Sequence, residues 1–560
     1  ELLIRLLYYM ELWYTCVRKG RVAMKLIFIG ADHEVTGSCH YLEFADKHVL
    51  VDCGMEQGND VYENQELPIA ASDVDCILLT HAHIDHSGLI PLMYVNGFRG
   101  QVYSTSATAQ LCEIMLRDSA HIQMFEAEWR NRKAARSGGK LKEFVPLYDM
   151  DAAVNVCKQF VGCEYDRVYD IAEGIKIRFT DVGHLLGSAS IEVWATEKTE
   201  NGDVTEKIVF SGDIGNINKP IIKDPKHVRD ADYVVMESTY GNRSHGGTPN
   251  YVEDLTDIFK RTFERGGNVV IPSFAVGRTQ ELLYIIRKIK EDNLVGRDFD
   301  VYMDSPLAIE ATNIFIKNVE SCFDDEAVEL VRKGINPLTF PGLKYATTGD
   351  ESKQINFDPN PKVIISSSGM CEAGRIRHHL KHNLWRPECT IVFVGYQAVG
   401  TTGRIIVDGA EEIKLFGEPV QIKAEIVQLQ GSSGHADKDG LLCWINAFDR
   451  KPKKVFVVHG EDSVCDEFTE CLKEEYGYDA MAPYTGGSYD LIADRVISEG
   501  VKERKTRRTT STQRGKTVFD RLVAAGKRLM TVITHNEGGT NKDLAKFTDQ
   551  INALCDKWDR

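Results

Sequence analysis

The histidine-rich stretch at residues 78–91, LLTHAHIDHSGLIP, constrains this chain more than any other part of its sequence. The apolar run CILL leads into it, which predicts a β-strand that ends at a tight turn. His81 and His83 point the same way in an extended segment, whereas Asp85 and His86 fall where the chain turns. Imidazole and carboxylate groups suit Zn²⁺, so we expect this turn to give two ligands to each of two ions.

Further candidate ligands follow other predicted strands. His184 lies in TDVGHLLGS, Asp213 in IVFSGDIGN and His459 in VFVVHGE, each just after an apolar run. Glycines beside His184 and Asp213 let the backbone approach an ion closely. A histidine at a strand end is by itself a weak indication of a metal site. Together, however, these strand ends can converge on one edge of a sandwich and meet the histidine-rich turn there.

The strand pattern predicts an α/β fold with one domain inserted into another. From Met24, short apolar strands alternate with polar turns, as expected for a sandwich. After Tyr240, strands such as NVVIPSF and KVIISSSG each lead into a helical segment, which predicts a parallel sheet flanked by helices. The pattern of short apolar strands alternating with polar turns returns near Glu418. We therefore predict an inserted domain at residues 242–417, within a sandwich built from residues 24–241 and 418–500.

The two ends of the chain differ from this pattern. We interpret residues 1–23 as an extension that is disordered or results from a wrongly assigned start, because Arg5, Glu11 and Arg18 interrupt its apolar character. Residues 501–560 are predicted to form a charged linker and two amphipathic helices. We find no segment suited to crossing a membrane. The 14 cysteines include no Cys-x-x-Cys pair, which favours reduced thiols in a cytoplasmic protein.

The net charge of −16 lowers the expectation of a protein that binds nucleic acid by bulk attraction. A polyanionic partner would need a local groove of lysine and arginine, or metal ions that add positive charge. The composition therefore makes nucleic-acid binding less expected without excluding it.

The run His-x-His-x-Asp-His, with VDCG upstream and SGD downstream, resembles the metallo-β-lactamase superfamily. The inserted domain and the motifs MESTYG and SSGHAD narrow the resemblance to the β-CASP nucleases, in particular the bacterial homologues of the pre-mRNA 3′-end processing endonuclease. It covers roughly residues 24 to 500. The resemblance implies a metallo-β-lactamase αββα sandwich with an inserted β-CASP domain. It also implies two Zn²⁺ per chain, one held by His81, His83 and His184, the other by Asp85, His86 and His459, with Asp213 bridging them.

The same resemblance implies roles for three further residues. Asp52 is expected to orient the loop and the metal-bound water, His435 to reach the scissile phosphate or the leaving oxygen, and Glu237 to orient His435. The implied activity is hydrolysis of single-stranded RNA by a hydroxide activated by the two metals, which leaves 5′-phosphate and 3′-hydroxyl ends. His83 favours a hydrolase over the oxygen-reducing members of the superfamily, and His459 favours RNA over DNA.

Loops of the inserted domain, together with the serines of GSSGHAD, supply candidate RNA contacts through basic side chains, hydroxyls and backbone amides near a helix start. Each also fits an ordinary strand–helix loop. These candidates are Arg278, Ser366, Ser367, Ser368, Gly369, Arg375, Arg404, Ser432 and Ser433. The histidines at 378, 379 and 382 are interpreted as helix-face residues without a metal role.

Several alternatives stay open at this point. The chain could instead be a zinc hydrolase acting on a thioester, lactam or cyclic nucleotide, although such small substrates do not require an inserted domain. It could also be a non-catalytic scaffold subunit of an RNA-processing complex. The sequence does not separate an endonuclease from a 5′–3′ exonuclease, nor a homodimer from a member of a larger complex.

Overall fold

The computed structural model describes residues 23–503, except 59–61, 63, 137–143, 245, 247–249 and 430–432, and also 522, 525–526, 529–530, 532–534, 536 and 540–558. The N-terminal extension except residue 23, most of the predicted linker and Ser432 therefore lie outside the described residues. None of the described helices combines the length and apolar character needed to cross a membrane. All cysteines in this part of the chain are free thiols.

The strands and helices follow the order expected for one domain inserted into another. The strands are β1 (Met24–Gly30), β2 (Cys39–Phe44), β3 (Lys47–Val51), β4 (Cys76–Leu78), β5 (Gln101–Thr105), β6 (Phe160–Cys163), β7 (Val168–Ala172), β8 (Ile175–Asp181), β9 (Ala189–Thr199), β10 (Gly202–Phe210), β11 (Tyr233–Glu237), β12 (Val269–Pro272), β13 (Asp300–Asp304), β14 (Leu343–Tyr345), β15 (Lys362–Ser366), β16 (Thr390–Phe393), β17 (Glu412–Leu415), β18 (Glu418–Gln421), β19 (Glu425–Gln428), β20 (Lys454–Val458), β21 (Ala480–Met481), β22 (Ser488–Asp490) and β23 (Arg495–Ser498). The α-helices are α1 (Ile84–Ser87), α2 (Ile90–Val95), α3 (Ser106–Arg136), α4 (Met150–Val156), α5 (Tyr251–Glu264), α6 (Arg278–Glu291), α7 (Pro306–Lys317), α8 (Val319–Cys322), α9 (Asp325–Arg332), α10 (Gly349–Phe357), α11 (Ile376–Asn383), α12 (Thr402–Val407), α13 (Lys438–Ile445), α14 (Asp462–Glu474) and α15 (Asn541–Trp558). Short 3₁₀ turns occur at Ala71–Asp73 and Cys157–Gln159.

Two mixed sheets form the sandwich. The eight-stranded sheet has the order β23-β22-β1-β2-β3-β4-β5-β6, and the seven-stranded sheet has the order β21-β20-β11-β10-β9-β8-β7. Their facing sides share one apolar core, in which Phe28 and Leu42 of the first sheet meet Phe179 and Phe210 of the second. The outer face of the second sheet is covered by α13 and α14. This arrangement confirms the α/β sandwich predicted from the strand pattern.

The inserted domain is built on a parallel six-stranded sheet with the order β14-β13-β15-β12-β16-β19. Helices cover both of its faces, because residues of its central strands alternate between two separate apolar clusters. One of these clusters continues without a break into the core beneath α3 of the sandwich. The two domains therefore share buried apolar surface.

One strand beyond the predicted end of the inserted domain belongs to the inserted sheet. The boundary at residue 417 stays a prediction, and β19 at Glu425–Gln428 pairs in parallel with β16 of the inserted sheet. The six-stranded sheet therefore extends past the predicted boundary. The sequence VQIKAEIVQLQG has the same strand character as the sandwich, so strand propensity alone could not show which sheet it joins.

The loop after β3 supports the histidine-rich turn from behind. The amides of Cys53 and Met55 donate to the carbonyls of His86 and Ile84, at 2.7 Å and 3.0 Å. Between them, Gly54 packs so tightly that a β-carbon there would overlap the carbonyl group of Asp85. The position of the turn is thus fixed by main-chain contacts that leave no room for a side chain at Gly54.

We predict that Gly54→Ala displaces the histidine-rich turn and lowers stability by about 1–3 kcal/mol, the usual cost of overpacking. Bound zinc per chain, measured by elemental analysis after desalting, should fall in parallel. Gly349→Ala is the matched control, because a β-carbon at Gly349 meets nothing within 4 Å. Full zinc content in Gly54→Ala would show that this contact does not position the turn.

Candidate metal centre

Six strands of the sandwich end at one edge and place polar side chains there. Asp52 follows β3, the histidine-rich turn follows β4, and His184 follows β8. In the second sheet, Asp213 follows β10, His459 follows β20, and Glu237 is the last residue of β11. The structure therefore brings together all seven predicted ligands, although they span residues 81 to 459.

The first group of donor atoms contains His81, His83, His184 and Asp213. His83 Nδ1 lies 3.0 Å from His81 Nε2 and 3.2 Å from His184 Nε2. Asp213 Oδ2 lies 3.3 Å from His81 Nε2 and 3.5 Å from His184 Nε2. The four donors thus surround a single point.

The second group contains Asp85, His86 and His459, and it meets the other oxygen of Asp213. His86 Nε2 lies 3.1 Å from His459 Nε2 and 3.2 Å from Asp213 Oδ1. His459 Nε2 lies 3.8 Å from Asp85 Oδ2 and 3.6 Å from Asp213 Oδ1. Because each oxygen of Asp213 faces a different group, this carboxylate lies between two potential ion positions.

The donors fit zinc in type and in spacing. Tetrahedral Zn²⁺ with bonds of about 2.0–2.1 Å separates neighbouring donors by about 3.4 Å, close to the 3.0–3.5 Å observed in the first group. Asp213 Oδ1 is also buried without a hydrogen-bond donor. A buried carboxylate oxygen without a donor is costly unless a cation satisfies it.

The protonation states of the three histidines in the first group also suit metal binding. Burial lowers the pKa of His81, His83 and His184, that of His83 to about 3, so these imidazoles offer neutral lone pairs. Burial raises the pKa of Asp213, but the surrounding histidines together outweigh burial and hold this pKa well below its usual range. Burial also raises the pKa of Asp85, but His459, His86 and His83 together outweigh it and lower this pKa.

Hydrogen bonds on the far side of the rings fix which nitrogen faces the centre. His86 Nδ1–H donates to Asp52 Oδ2 at 2.7 Å, and His184 Nδ1–H donates to the carbonyl of Gly434 at 3.1 Å. Nδ1 of His459 is hydrogen-bonded to Thr239 Oγ1 at 3.1 Å. In each case Nε2 is left for an ion, the arrangement that raises ligand basicity in metal sites.

Asp52 is itself held firmly in place. Its Oδ1 accepts from the amide and hydroxyl of Thr80, at 2.9 Å and 3.0 Å. Its backbone is left-handed, with φ of 59°, as is that of His459, with φ of 52°. Non-glycine residues rarely adopt this conformation, which concentrates at functional sites. Sequence analysis missed Thr80 and Thr239; the only signal was that each adjoins the end of an apolar strand.

Glu237 and His435 form a pair beside the first group. His435 Nδ1–H donates to Glu237 Oε2 at 3.0 Å, and His435 Nε2 lies 3.9 Å from Asp213 Oδ2. Burial would lower the pKa of His435, but the carboxylates of Glu237 and Asp213 raise it to about 9. In the metal-free protein His435 is therefore a cation at neutral pH. The amide of His435 also donates to Ser433 Oγ at 3.0 Å, which gives Ser433 a structural contact here.

Several predicted RNA contacts are instead used within the protein. Ser366 is buried, and its hydroxyl donates to the carbonyl of Asp304. Arg375 donates to Asp304 Oδ1 and to two backbone carbonyls, so its guanidinium is held inside the inserted domain. RNA contact by these two residues stays a prediction, and their donors already have acceptors within the protein.

The serine-rich loop also differs from the expected phosphate cradle. The helix that follows it begins only at Ile376, and the Ser368 amide donates to the carbonyl of Ala373 at 3.2 Å. The Ser367 hydroxyl donates to Ser305 Oγ at 3.1 Å. Ser366–Gly369 therefore do not present a row of amides at a helix start.

Two predicted arginines and one histidine have charged neighbours. Arg404 Nε donates to Asp408, and Arg278 donates to Glu281, which also pairs with Lys219 at 3.3 Å. Lys219, which the sequence did not single out, donates to the carbonyl of His184 at 2.9 Å. On α11, His379 bonds Asp304 and Asn356 and so holds the fold of the inserted domain.

We predict that Asp52→Ala weakens zinc binding about 10–100-fold, the usual effect of removing a carboxylate that orients a ligating histidine. The reason is that His86 loses the acceptor that keeps its Nε2 directed at the centre. Competition with a zinc-binding dye measures the change. Asp73→Ala, at an exposed aspartate, is the control. Unaltered zinc affinity in Asp52→Ala would rule out this orienting role.

Comparison with known proteins agrees with this geometry. Residues 41–216 match the metallo-beta-lactamase superfamily domain, residues 279–406 the Beta-Casp domain, and residues 419–483 the Zn-dependent metallo-hydrolase RNA specificity domain. The chain is 35% identical over 440 residues to ribonuclease TTHA0252 of Thermus thermophilus, covering 78% of this chain and 94% of that protein. It is 31% identical over 475 residues to transcription termination factor FttA of Methanosarcina mazei, covering 82% of this chain and 70% of that protein. The FttA of Methanocaldococcus jannaschii is 29% identical over 481 residues, covering 83% of this chain and 72% of that protein.

The resemblance inferred from the motifs is thus confirmed: the chain belongs to the β-CASP ribonuclease family of the metallo-β-lactamase superfamily and is a metal-dependent hydrolase of the nuclease class.

Proposed function

We propose that this protein is a zinc-dependent ribonuclease that hydrolyses single-stranded RNA with two Zn²⁺ and leaves 5′-phosphate and 3′-hydroxyl ends. The observation that carries the proposal is the position of Asp213, whose two oxygens each face a separate group of nitrogen donors. The match to an RNA specificity domain and the ribonuclease among the relatives support RNA as the substrate.

Zinc ions held by the seven ligands would supply Lewis-acid chemistry, by polarising phosphate oxygens and lowering the pKa of water. The chain's own residues orient the ligands and supply a proton. Asp52 and Thr239 keep His86 and His459 oriented, so that no reorganisation is needed during the reaction. His435, held by Glu237, places Nε2–H toward the centre, where it can donate a proton to the leaving 3′ oxygen.

A groove between the domains supports a single-stranded substrate. It has a volume of about 1030 Å³ and is lined on the sandwich side by residues 214–220 and 222–227 and on the inserted side by Arg278, Tyr284 and Lys288. Its wall includes Ile214 and Gly215, directly after Asp213. A strand lying in this groove would reach the metal centre, while a duplex would require the domains to separate.

The relatives also suggest a cellular role. The archaeal proteins are named transcription termination factors, and the bacterial one is named a ribonuclease. We therefore propose a role in RNA processing or decay in the cytoplasm, where the thiols of the described chain stay reduced.

The central test uses labelled single-stranded RNA and the zinc-loaded protein. We expect cleavage by the wild type, and a loss of at least about 1000-fold in Asp213→Ala, because the carboxylate between the two groups is gone. Circular dichroism should show an intact fold. Asp292→Ala, at an exposed aspartate, serves as the control. Mapping the cuts on RNA with a 5′-monophosphate or a 5′-triphosphate distinguishes internal cleavage from digestion that starts at the 5′ end.

Other outcomes of this test identify the alternatives. Intact RNA together with hydrolysis of a lactam, a thioester or a cyclic nucleotide would support a small-molecule hydrolase. Binding of RNA without any cleavage, even with two zinc ions per chain, would support a scaffold subunit. Equal activity of Asp213→Ala and the wild type would refute the proposed mechanism.

The C-terminal helix supports a proposal about assembly. Along α15, apolar residues recur at alternating spacings of three and four, at Leu544, Phe547, Ile551, Leu554 and Trp558. Leu554 and Trp558 are 54% and 63% exposed. This is the spacing of a coiled-coil seam, and an isolated helix of this length is marginal in water. We propose that α15 pairs with a second copy of the chain.

We predict that the full chain sediments as a dimer and that residues 1–501 alone sediment as a monomer with unchanged RNA cleavage. In the full chain, Ile551→Asp should shift the mass toward the monomer, because it places a charge in the seam. Asn552→Asp, one residue away and outside the seam, should leave the dimer intact. A monomeric full chain would contradict the proposal.

A further inference from the structure

Two exposed aromatic side chains stand at the carboxyl edge of the inserted sheet. Phe274 lies two residues after β12 and is 48% exposed, and Tyr396 lies three residues after β16 and is 50% exposed. Because β12 and β16 are paired neighbours, both rings rise from adjacent positions on the same edge. Carboxyl ends of parallel strands are where ligands bind in open α/β sheets.

Both rings are carried by loops that are fixed to a common support. Gly369 packs against Phe274 so closely that a β-carbon there would lie 3.1 Å from the ring. Gln397, next to Tyr396 and itself 3% exposed, donates through Nε2 to the carbonyl of Gly369 at 3.1 Å. Thr279 Oγ1 holds the carbonyl of Phe274 at 2.7 Å. The two aromatic residues therefore stand on a rigid base, which lowers the entropy lost on binding.

The Phe274 loop also faces a residue next to the metal centre. Three residues further on, Gly277 faces Leu185, with a β-carbon position 3.1 Å from Leu185 Cδ1. Leu185 directly follows His184, a member of the first donor group. Three residues span at most about 11 Å, so Phe274 lies within that distance of Gly277, which faces the neighbour of a candidate ligand.

The charge of the protein limits how it can hold RNA. The net charge is −16, and two of the predicted cationic contacts are paired internally, Arg375 with Asp304 and Arg404 with Asp408. Attraction of phosphates is then weak, whereas stacking of bases on aromatic rings does not depend on net charge. We infer that Phe274 and Tyr396 are base-stacking residues that hold unpaired bases of the RNA beside the bond to be cut. This inference rests on the proposed function.

Binding measurements test the inference directly. The full chain carrying Asp213→Ala is titrated against a labelled single-stranded RNA that it leaves uncut. Phe274→Ala and Tyr396→Ala are each expected to weaken binding at least about fivefold, as for loss of a stacked base. Tyr396→Phe, which keeps the ring, should bind like the parent. Phe357→Ala is the matched control, since Phe357 is 72% exposed but lies at the opposite edge of the sheet, before β15.

Two further readouts separate stacking from a structural role. In a double-mutant cycle, abasic sites in the RNA should weaken binding to the parent but add little further loss to Phe274→Ala. Hydrolysis of bis(p-nitrophenyl) phosphate, which is too small to reach these loops, should be the same in zinc-loaded wild type and in zinc-loaded Phe274→Ala.

Each contrary result has a defined meaning. If the wild type cleaves RNA but the alanine variants bind it as tightly as the parent, the inference fails and the proposed function stands. Slower hydrolysis of the small ester by Phe274→Ala would also overturn the inference, by assigning Phe274 to support of the metal centre. If the zinc-loaded wild type neither binds nor cleaves RNA, both the proposed function and the inference fail.

Discussion

The site depends on one buried carboxylate that serves two groups of imidazoles. Asp213 directs Oδ1 and Oδ2 to different sets of donors, and without a cation Oδ1 has no hydrogen-bond donor. Burying this charge is costly, so the surrounding fold must supply compensation at a fixed place. That requirement explains why strands from both sheets end at the same edge, and why Asp52 and His459 adopt a left-handed backbone.

The inserted domain contributes more than a cover over this edge. One apolar cluster runs from the sandwich into the inserted sheet, so the two domains are held together by buried surface rather than by a flexible link. At the boundary, Lys219 of the sandwich contacts both the carbonyl of His184 and Glu281 of α6. A change in the position of α6 would therefore be transmitted through Lys219 to the backbone of His184, a candidate ligand of the metal centre.

The candidate donors can be singled out from the sequence because their signal is local. His81, His83, Asp85 and His86 lie within six residues, and the other candidates follow apolar strands. The internal contacts of Arg375 and Ser366 cannot be foreseen from the sequence, because their acceptor, Asp304, lies far away in the chain. The sheet that β19 joins is hidden from the sequence for the same reason, since β19 has the character of a strand in either domain and only its pairing with β16 decides.

An acidic chain that acts on a polyanion must obtain its affinity from particular places. Here the candidate places are a centre that would hold two divalent cations and an edge that carries exposed aromatic rings. Bound ions and aromatic rings do not enter the formal net charge of −16, so the composition gave no indication of either one. Under the proposed function, such a surface would repel RNA in general and retain a strand only where its bases can stack and its phosphate can meet the metal ions. Selection of single strands would then follow from the chemistry of binding, because the bases of a duplex are already stacked on one another and cannot reach the rings.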